Sequence, residues 1–320
     1  MPKVSVILPV YNGASWLEGA ISCVLEQSYA NFELVVIDDG SKDNSWDLIN
    51  QFSDPRIKAH RQVNRGLAAT LNIGLELAVA PLVARQDQDD WMHPERLARQ
   101  VVYMEAHPGC AAVGTWAEIR EDDVFAGRLH KHALGNTALR LNLMFDNPFV
   151  HSSMMLRRAA VLQVGGYCED KTLQPPEDYA LWSNLASHFE VGNIGELLTA
   201  YREVAGSMSR SGVSPFQRNV LRISIENMSR TLGSAYTGAQ YKALSMLYHG
   251  VDSGLSLSRR KALDMLQAFA VAIAGEPTSW TEEFANEHAR LAAFVSSRCL
   301  QRHLPSALLN TARKLKRIFA

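Results

Sequence analysis

Within the first ninety residues, continuous apolar runs stop repeatedly at short polar turns, and helical patterns fill the gaps between them. Val4-Ser5-Val6-Ile7-Leu8-Pro9-Val10 runs into Tyr11-Asn12-Gly13, and Phe32-Glu33-Leu34-Val35-Val36-Ile37 runs into Asp38-Asp39-Gly40-Ser41. Such runs suit strands buried on both faces of a parallel sheet. Pro9 stands at the end of its run, where a missing N–H is tolerated. Between the two runs, Trp16, Leu17, Ala20, Ile21, Val24 and Leu25 recur at helical spacing. A weaker unit follows: a short strand from Arg56 to His60, the turn Asn64-Arg65-Gly66, a helix from Leu67 to Leu77 and a strand from Pro81 to Ala84. This alternation predicts an α/β fold, a mostly parallel sheet with right-handed crossovers and flanking helices.

Chemistry in such sheets sits in the loops at the C-terminal ends of the strands. The run from Leu77 to Ala84 leads, through Arg85-Gln86, into Asp87-Gln88-Asp89-Asp90, three carboxylates in four residues. In an extended backbone Asp87 and Asp89 point the same way. Like charges so placed repel unless a cation lies between them. A hard divalent ion, Mg²⁺ or Mn²⁺, fits oxygen ligands and keeps open positions for substrate phosphates. The alternative is an acidic surface turn that caps the helix starting near Pro94, with Arg85 neutralising it. Trp91, Met92, Pro94 and Leu97 read as packing residues.

The chain has 320 residues, a net charge of −1 and 47% hydrophobic residues, enough for a large core and with no basic field for nucleic acid. Cys23, Cys110, Cys168 and Cys299 are scattered and form no CxxC pair, so neither a zinc site nor a disulfide framework is expected. A reducing cytoplasm is the expected setting. The chain enters its first strand without a charged leader, and no stretch approaches the ~20 apolar residues of a membrane span.

Further on, Ala111 to Trp116 reads as a strand, Glu118 to Lys131 as a hairpin or surface excursion, and Asn147 to Leu156 as a strand after a turn. His151 at that strand's start reads as structural or substrate-contacting, with a chemical role as the lesser alternative. Val164-Gly165-Gly166-Tyr167 supplies a turn, and Gln174-Pro175-Pro176-Glu177-Asp178 precedes a helix carrying Tyr179, Leu181, Trp182 and Leu185. Acidic residues at a helix start complement its dipole, which is the bland account of Glu177 and Asp178.

Taken in order, Val6-Ile7-Leu8-Pro9-Val10-Tyr11-Asn12, Val35-Val36-Ile37-Asp38-Asp39-Gly40-Ser41, Asn64-Arg65-Gly66, Asp87-Gln88-Asp89-Asp90 and Glu177-Asp178 resemble the ordered signature of glycosyltransferase family 2. The resemblance covers about two thirds of the chain and fades beyond Ser209. It implies a GT-A (Rossmann-like) fold and an inverting transfer from a nucleotide-diphosphate sugar, UDP- or dTDP-linked, to a hydroxyl of a glycan or lipid-linked acceptor. By the same resemblance Pro9, Tyr11 and Asp39 hold the base with Asp38 beside it. Asn64 and Arg65 lie near the ribose and pyrophosphate. Asp89 holds the metal with Asp87 on the ribose or the ion, and Asp178 is the general base, oriented with its acceptor by Glu177. A nucleotidyltransferase is the enzymatic rival, although the first turn, Asn12-Gly13-Ala14-Ser15, lacks the basic residue a triphosphate needs. A non-catalytic sugar-nucleotide-binding or scaffold protein is the other rival.

The expected division is a catalytic domain over 1–210 and a helical region over 211–320. Helical patterns span Gln217–Leu232, Tyr236–His249, Ser258–Ala274, Trp280–Leu300 and Ser306–Phe319. After Glu287 every charged side chain is basic, and Leu308, Ala312, Leu315 and Phe319 share one face of the last helix. Two readings stay open for it: a peripheral membrane contact through anionic lipid, and a packed helix with a solvated basic face.

Overall fold

The computed structural model describes residues 1–121, 124–203, 215–252 and 254–302. The chain forms two compact units, one of Met1–Leu139 with Asn147–Val220, the other of Arg140–Asp146 with the described residues of Leu221–Ala320.

The first unit is built on β1 (Val4–Val10) and β2 (Phe32–Asp38), whose residues are all buried. Around them lie α1 (Leu17–Leu25), α2 (Ser45–Gln51), β3 (Ile57–Arg61), α3 (Leu67–Leu77), β4 (Leu82–Arg85), β5 (Trp91–Met92) and α4 (Arg96–Ala106). The sheet continues through β6 (Cys110–Glu121), β7 (Val124–His130), β8 (Met155–Arg157) and β9 (Glu190–Glu203). The remaining helices of this part of the chain are α5 (Asn136–Asn142), α6 (Arg158–Gln163) and α7 (Glu177–Ala186). Strand order is β3-β2-β1-β4-β8-β6-β9-β5, with β7 paired to β6. The first four strands are parallel, as the βα alternation requires. Beyond β4 the sheet is mixed: β8 runs antiparallel to β4 and β6, while β9 runs parallel to β6.

This order positions the site. The chain leaves β1 for β2 on one side and returns through α3 to β4 on the other, so the connections part at the β1–β4 seam. Ligands of open α/β sheets bind at that kind of switch point, beyond the carboxyl ends of the strands. Tyr11-Asn12 and Gln86 to Asp90 both follow those ends.

Two local readings change. The strand expected from Asn147 contracts to Met155–Arg157, because His151–Ser153 forms a single 3-10 turn. Ser153 Oγ donates to Val150 O at 2.8 Å there, a side-chain bond that competes with a sheet ladder. The long strand β9 has no counterpart in the apolar pattern, since Glu190, Asn193, Glu196 and Glu203 interrupt it.

The second unit holds the rest of α8 (Pro215–Leu232) from Leu221 on, together with α9 (Gly238–His249), α10 (Arg259–Ala274) and α11 (Glu282–Gln301). Met228, Tyr241, Leu244, Leu247, Met265, Leu266, Phe269, Phe284, Leu291 and Val295 are its buried face. Asn227 and Ser224 bond the carbonyls of Leu143 and Met144, which fastens the Arg140–Asp146 segment to it. Thr237, Ser258 and Thr281 cap α9, α10 and α11. The helix expected at Ser306–Phe319, with its proposed membrane face, lies outside the described residues, as do Ser209 and the expected boundary at 210/211. Among the described residues no helix is long and apolar enough to cross a membrane.

Candidate active site

Pro9 is buried in β1, and the backbone turns immediately after at Asn12, whose φ of 51° lies in the left-handed region that Asn tolerates. Tyr11 is 45% exposed and presents its ring to solvent at the seam. Its N–H donates to Gln88 Oε1 at 2.8 Å, and Gln88 Nε2 donates back to Tyr11 O at 3.2 Å. The two loops at the switch point are thereby fastened together.

Asp38 is fully buried, ion-paired to Arg61 at 2.9 Å and accepting from Ser41 N at 3.0 Å. Asp39 is the hub of the next turn. Its carboxylate accepts from Gln62 Nε2 at 2.8 Å, Arg65 N at 2.8 Å and Gly66 N at 2.9 Å, while Asn64 Nδ2 donates to its carbonyl at 3.0 Å. Gly40 makes this possible: its φ is 74°, and a Cβ there would stand 2.8 Å from Asn64 N. Asp39 N donates to Val10 O at 2.8 Å, between Pro9 and Tyr11, so the turn that holds Asn64 and Arg65 is joined to the end of β1. A carboxylate offers about four acceptor positions, so Asp39 retains one after these three bonds.

The acidic loop is not extended. β4 ends at Arg85 and the chain turns through Gln88-Asp89, with Asp90 N donating to Asp87 O at 3.4 Å. The parallel projection expected of Asp87 and Asp89 is thus replaced by a turn, and the two carboxylates have different company. Asp87 pairs with the buried Arg85 guanidinium. No side chain among the described residues donates to the Asp89 carboxylate; Arg202 Nε bonds only its carbonyl, at 2.8 Å. Burial, with the Asp87 charge adding to it, raises the Asp89 pKa to about 6. Asp90 is buried, accepts from Ser152 Oγ and from Arg202 N at 2.8 Å, and is pushed well above the usual carboxylate range by burial and by Asp87 and Asp89. It is a structural acid.

Sequence reasoning missed the scaffold beneath this loop. Arg96, fully buried, donates to Arg85 O at 2.7 Å and Gln86 Oε1 at 3.3 Å, and its Nε to Gln100 Oε1 at 3.1 Å. Gln86 Nε2 in turn donates to Asp90 O at 2.8 Å. Burial lowers the Arg96 pKa to about 9. No local signal in the sequence marks them, since Arg96 and Gln100 stand among His93, Glu95 and Arg99.

Glu177 and Asp178 open α7. Asp178 Oδ2 accepts from Asn147 Nδ2 at 2.8 Å and Oδ1 from Tyr179 N at 2.7 Å, which fixes the carboxylate. Burial raises Asp178 to about 6, and burial with the Asp178 charge raises Glu177 to about 7. Asp87 contributes to both shifts and Arg85 opposes that of Glu177. The acidic loop and the head of α7 therefore lie within electrostatic reach of each other. His151 does not titrate near neutrality: burial and Arg85 lower its pKa to about 3. It meets Tyr167 OH at 3.1 Å and packs edge-on to Trp182, a structural place.

A divalent cation fits this centre in part. Among the described residues no three His, Cys, Asp or Glu side chains converge into a ready-made cage. Asp89, lacking a side-chain donor and burdened by Asp87, is the carboxylate a cation would relieve. Substrate phosphates and water can complete an octahedral set around Mg²⁺ or Mn²⁺.

The family model of glycosyl transferase family 2 matches residues 5–166. The chain belongs to that family. Among the relatives, a UDP-Glc:α-D-GlcNAc-diphosphoundecaprenol β-1,3-glucosyltransferase of Escherichia coli, WfaP, is 27% identical over 79% of this chain and 94% of its own. Coverage of other relatives runs from 76% of a putative glycosyltransferase of Bacillus subtilis, EpsE, 33% identical over 65% of this chain, to 33% of a Rickettsia bellii glycosyltransferase. S. aureus TarS in complex with UDP-GlcNAc has a TM-score of 0.61 at 16% identity, covering 94% of this chain and 91% of TarS. The mannosyltransferase PcManGT from Pyrobaculum calidifontis, in complex with GDP-Man and Mn²⁺, has a TM-score of 0.55 at 17% identity, covering 94% and 86%. These likenesses establish the GT-A fold. Family membership sets the nucleotidyltransferase reading aside. The family match ends before Glu177 and Asp178, whose place rests on the geometry above.

Proposed function

We propose that this family 2 glycosyltransferase moves a sugar, with inversion, from a UDP- or dTDP-sugar to a hydroxyl of a glycan or lipid-linked acceptor in surface-polysaccharide assembly. The observation that carries this reading is the fixed, partly buried Asp178 carboxylate, held by Asn147 Nδ2 and Tyr179 N at the head of α7 and within electrostatic reach of Asp87. WfaP, named for a lipid diphosphate acceptor, supports the acceptor class.

In this reading Tyr11 stacks on the base, Asp39 offers its remaining acceptor position to the imide N–H of uracil or thymine, and Asp38 braces Asp39's turn. Asn64 and Arg65 lie along the ribose and pyrophosphate. Asp89 and Asp87 would hold Mn²⁺ or Mg²⁺, which when bound stabilises charge on the departing diphosphate. Asp178 takes the proton of the acceptor hydroxyl as that oxygen attacks the anomeric carbon. The bond from that carbon to the β-phosphate oxygen breaks in the same displacement, and the diphosphate leaves with the electron pair. Glu177 orients the acceptor and, being harder to ionise, carries the shared proton of the pair below pH 7. The cytoplasm, with its nucleotide sugars, is the proposed setting, at the membrane face where a lipid-linked acceptor is met.

Calorimetric titration with UDP, dTDP, GDP and ADP, with and without Mn²⁺, tests the donor half. Tight, metal-dependent binding of UDP or dTDP and weak binding of the purines is expected. Equal affinity for all four would remove the base assignment.

A further inference from the structure

The two acids that open α7 are unequally served. Asp178 Oδ2 accepts from Asn147 Nδ2 at 2.8 Å and Oδ1 from Tyr179 N at 2.7 Å. Glu177 is buried, and among the described residues its carboxylate meets no donor beyond its own N–H. We infer that Asn147 is a positioning residue that makes Asp178, rather than Glu177, the proton acceptor of the pair.

The amide of Asn147 is held one way round. Its Oδ1 accepts from Phe149 N at 3.1 Å, closing an Asx turn. With the oxygen committed there, Nδ2 is the atom left to meet Asp178. An amide nitrogen donates and does not accept, so it suits the ionised carboxylate and takes no proton itself. The turn is fastened from behind. Asn193, buried in β9, donates from Nδ2 to Pro148 O at 3.3 Å and to Ala133 O at 2.9 Å. Asn147 thus reaches the head of α7 from a fixed loop and acts through Asp178.

Burial raises both acids, to about 6 for Asp178 and about 7 for Glu177. A donor to the charged form opposes burial, and only Asp178 has one from a side chain. The surrounding charges do not make this choice: Asp87 raises both acids, and Arg85 favours the ionised form of Glu177. Tyr167, within electrostatic reach of both, and His151 beside it are kept neutral by burial. The asymmetry of the pair therefore traces to one side chain in another loop.

The work of Asp178 as base rests on the transferase reading above; the choice between the two carboxylates does not. Two readouts separate them. The first is carboxyl-carbon NMR of the full chain, with the two resonances assigned by their loss in Asp178→Asn and Glu177→Gln. Wild-type Asp178 should titrate below Glu177. Asn147→Ala should raise the Asp178 midpoint by about one unit, closing the gap. Asn147→Asp keeps an acceptor for Phe149 N but replaces the donor with a second acid, so it should raise the midpoint further. The second readout is the rate of UDP release from a UDP-sugar with acceptor, across pH. Its rising limb should move with the Asp178 midpoint in both variants, while UDP affinity in Mn²⁺ changes by less than about threefold. If Asn147 only shapes its loop, Asn147→Asp will leave the midpoint and the limb in place, and Asn147→Ala will lower the rate equally at every pH. Either result in a folded variant overturns the inference. Midpoints that move while the limb stays put would keep the choice of carboxylate and remove Asp178 as the base.

Discussion

Tyr11 and Gln88 lie 77 positions apart and exchange two hydrogen bonds, one at 2.8 Å from Tyr11 N and one at 3.2 Å back to Tyr11 O. The loop that carries the Tyr11 ring and the loop that carries Asp87, Asp89 and Asp90 are thereby fastened to each other. Preorganisation of this kind is what a nucleotide site needs, because ordering a loop on binding subtracts from affinity.

Gln88→Ala removes both bonds and leaves two solvent-accessible backbone groups, which water can serve. The fold should tolerate it, with a loss near ~1 kcal/mol. UDP affinity should fall about threefold to tenfold, since Tyr11 must then be ordered by the ligand. Calorimetry beside a thermal melt separates these effects; unchanged affinity would mean the clamp is incidental.

The acid pair gives a pH dependence with a fixed sign. Burial raises Glu177 from 4.5 to about 7, so folding favours its protonated form. That contribution to stability is fully present below 4.5 and is lost as pH rises through about 7. Glu177→Gln should therefore unfold at higher denaturant than wild type at pH 8 and flatten the decline between those values. Transfer has the opposite sign: the base works ionised, so the rate should climb with pH through about 6, where Asp178 titrates. A rate that falls over that interval would remove Asp178 from the role.

Asp89 should matter only through the cation. Asp89→Asn should reduce UDP affinity in Mn²⁺ about tenfold or more, toward the metal-free value. Without metal the same variant should bind UDP as well as wild type or better, because a negative charge beside the diphosphate is gone. Equal Mn²⁺ enhancement in both proteins would place the ion elsewhere.

The parts legible in the sequence were those whose signal is local. Val4–Val10 and Phe32–Asp38 announce buried parallel strands because every residue is buried. Asp38-Asp39 and Asp87 to Asp90 stand out because charge follows at once on an apolar run. What failed was long-range. Arg96 beneath the acidic loop and Asn147 beside Asp178 are joined to their partners only by folding, and a lone Arg or Asn carries no mark of burial. β9 pairs along β6 despite a mixed pattern, since register there comes from the partner strand rather than from alternation. The turn at Gln88-Asp89 defeated the extended reading of Asp87 and Asp89 because Arg85 draws Asp87 toward the core.

The central claim is that Asp178 accepts the acceptor's proton, and Asp178→Asn tests it most directly. The amide keeps the side chain's shape and can still accept one of the bonds from Asn147 Nδ2 and Tyr179 N, but it cannot take a proton. The measurement is the rate of UDP release from a UDP-sugar in the presence of acceptor, beside UDP affinity in Mn²⁺. The expected result is a rate reduced on the order of 10²–10⁴-fold with affinity nearly unchanged. A folded Asp178→Asn protein that turns over at close to the wild-type rate would contradict the account.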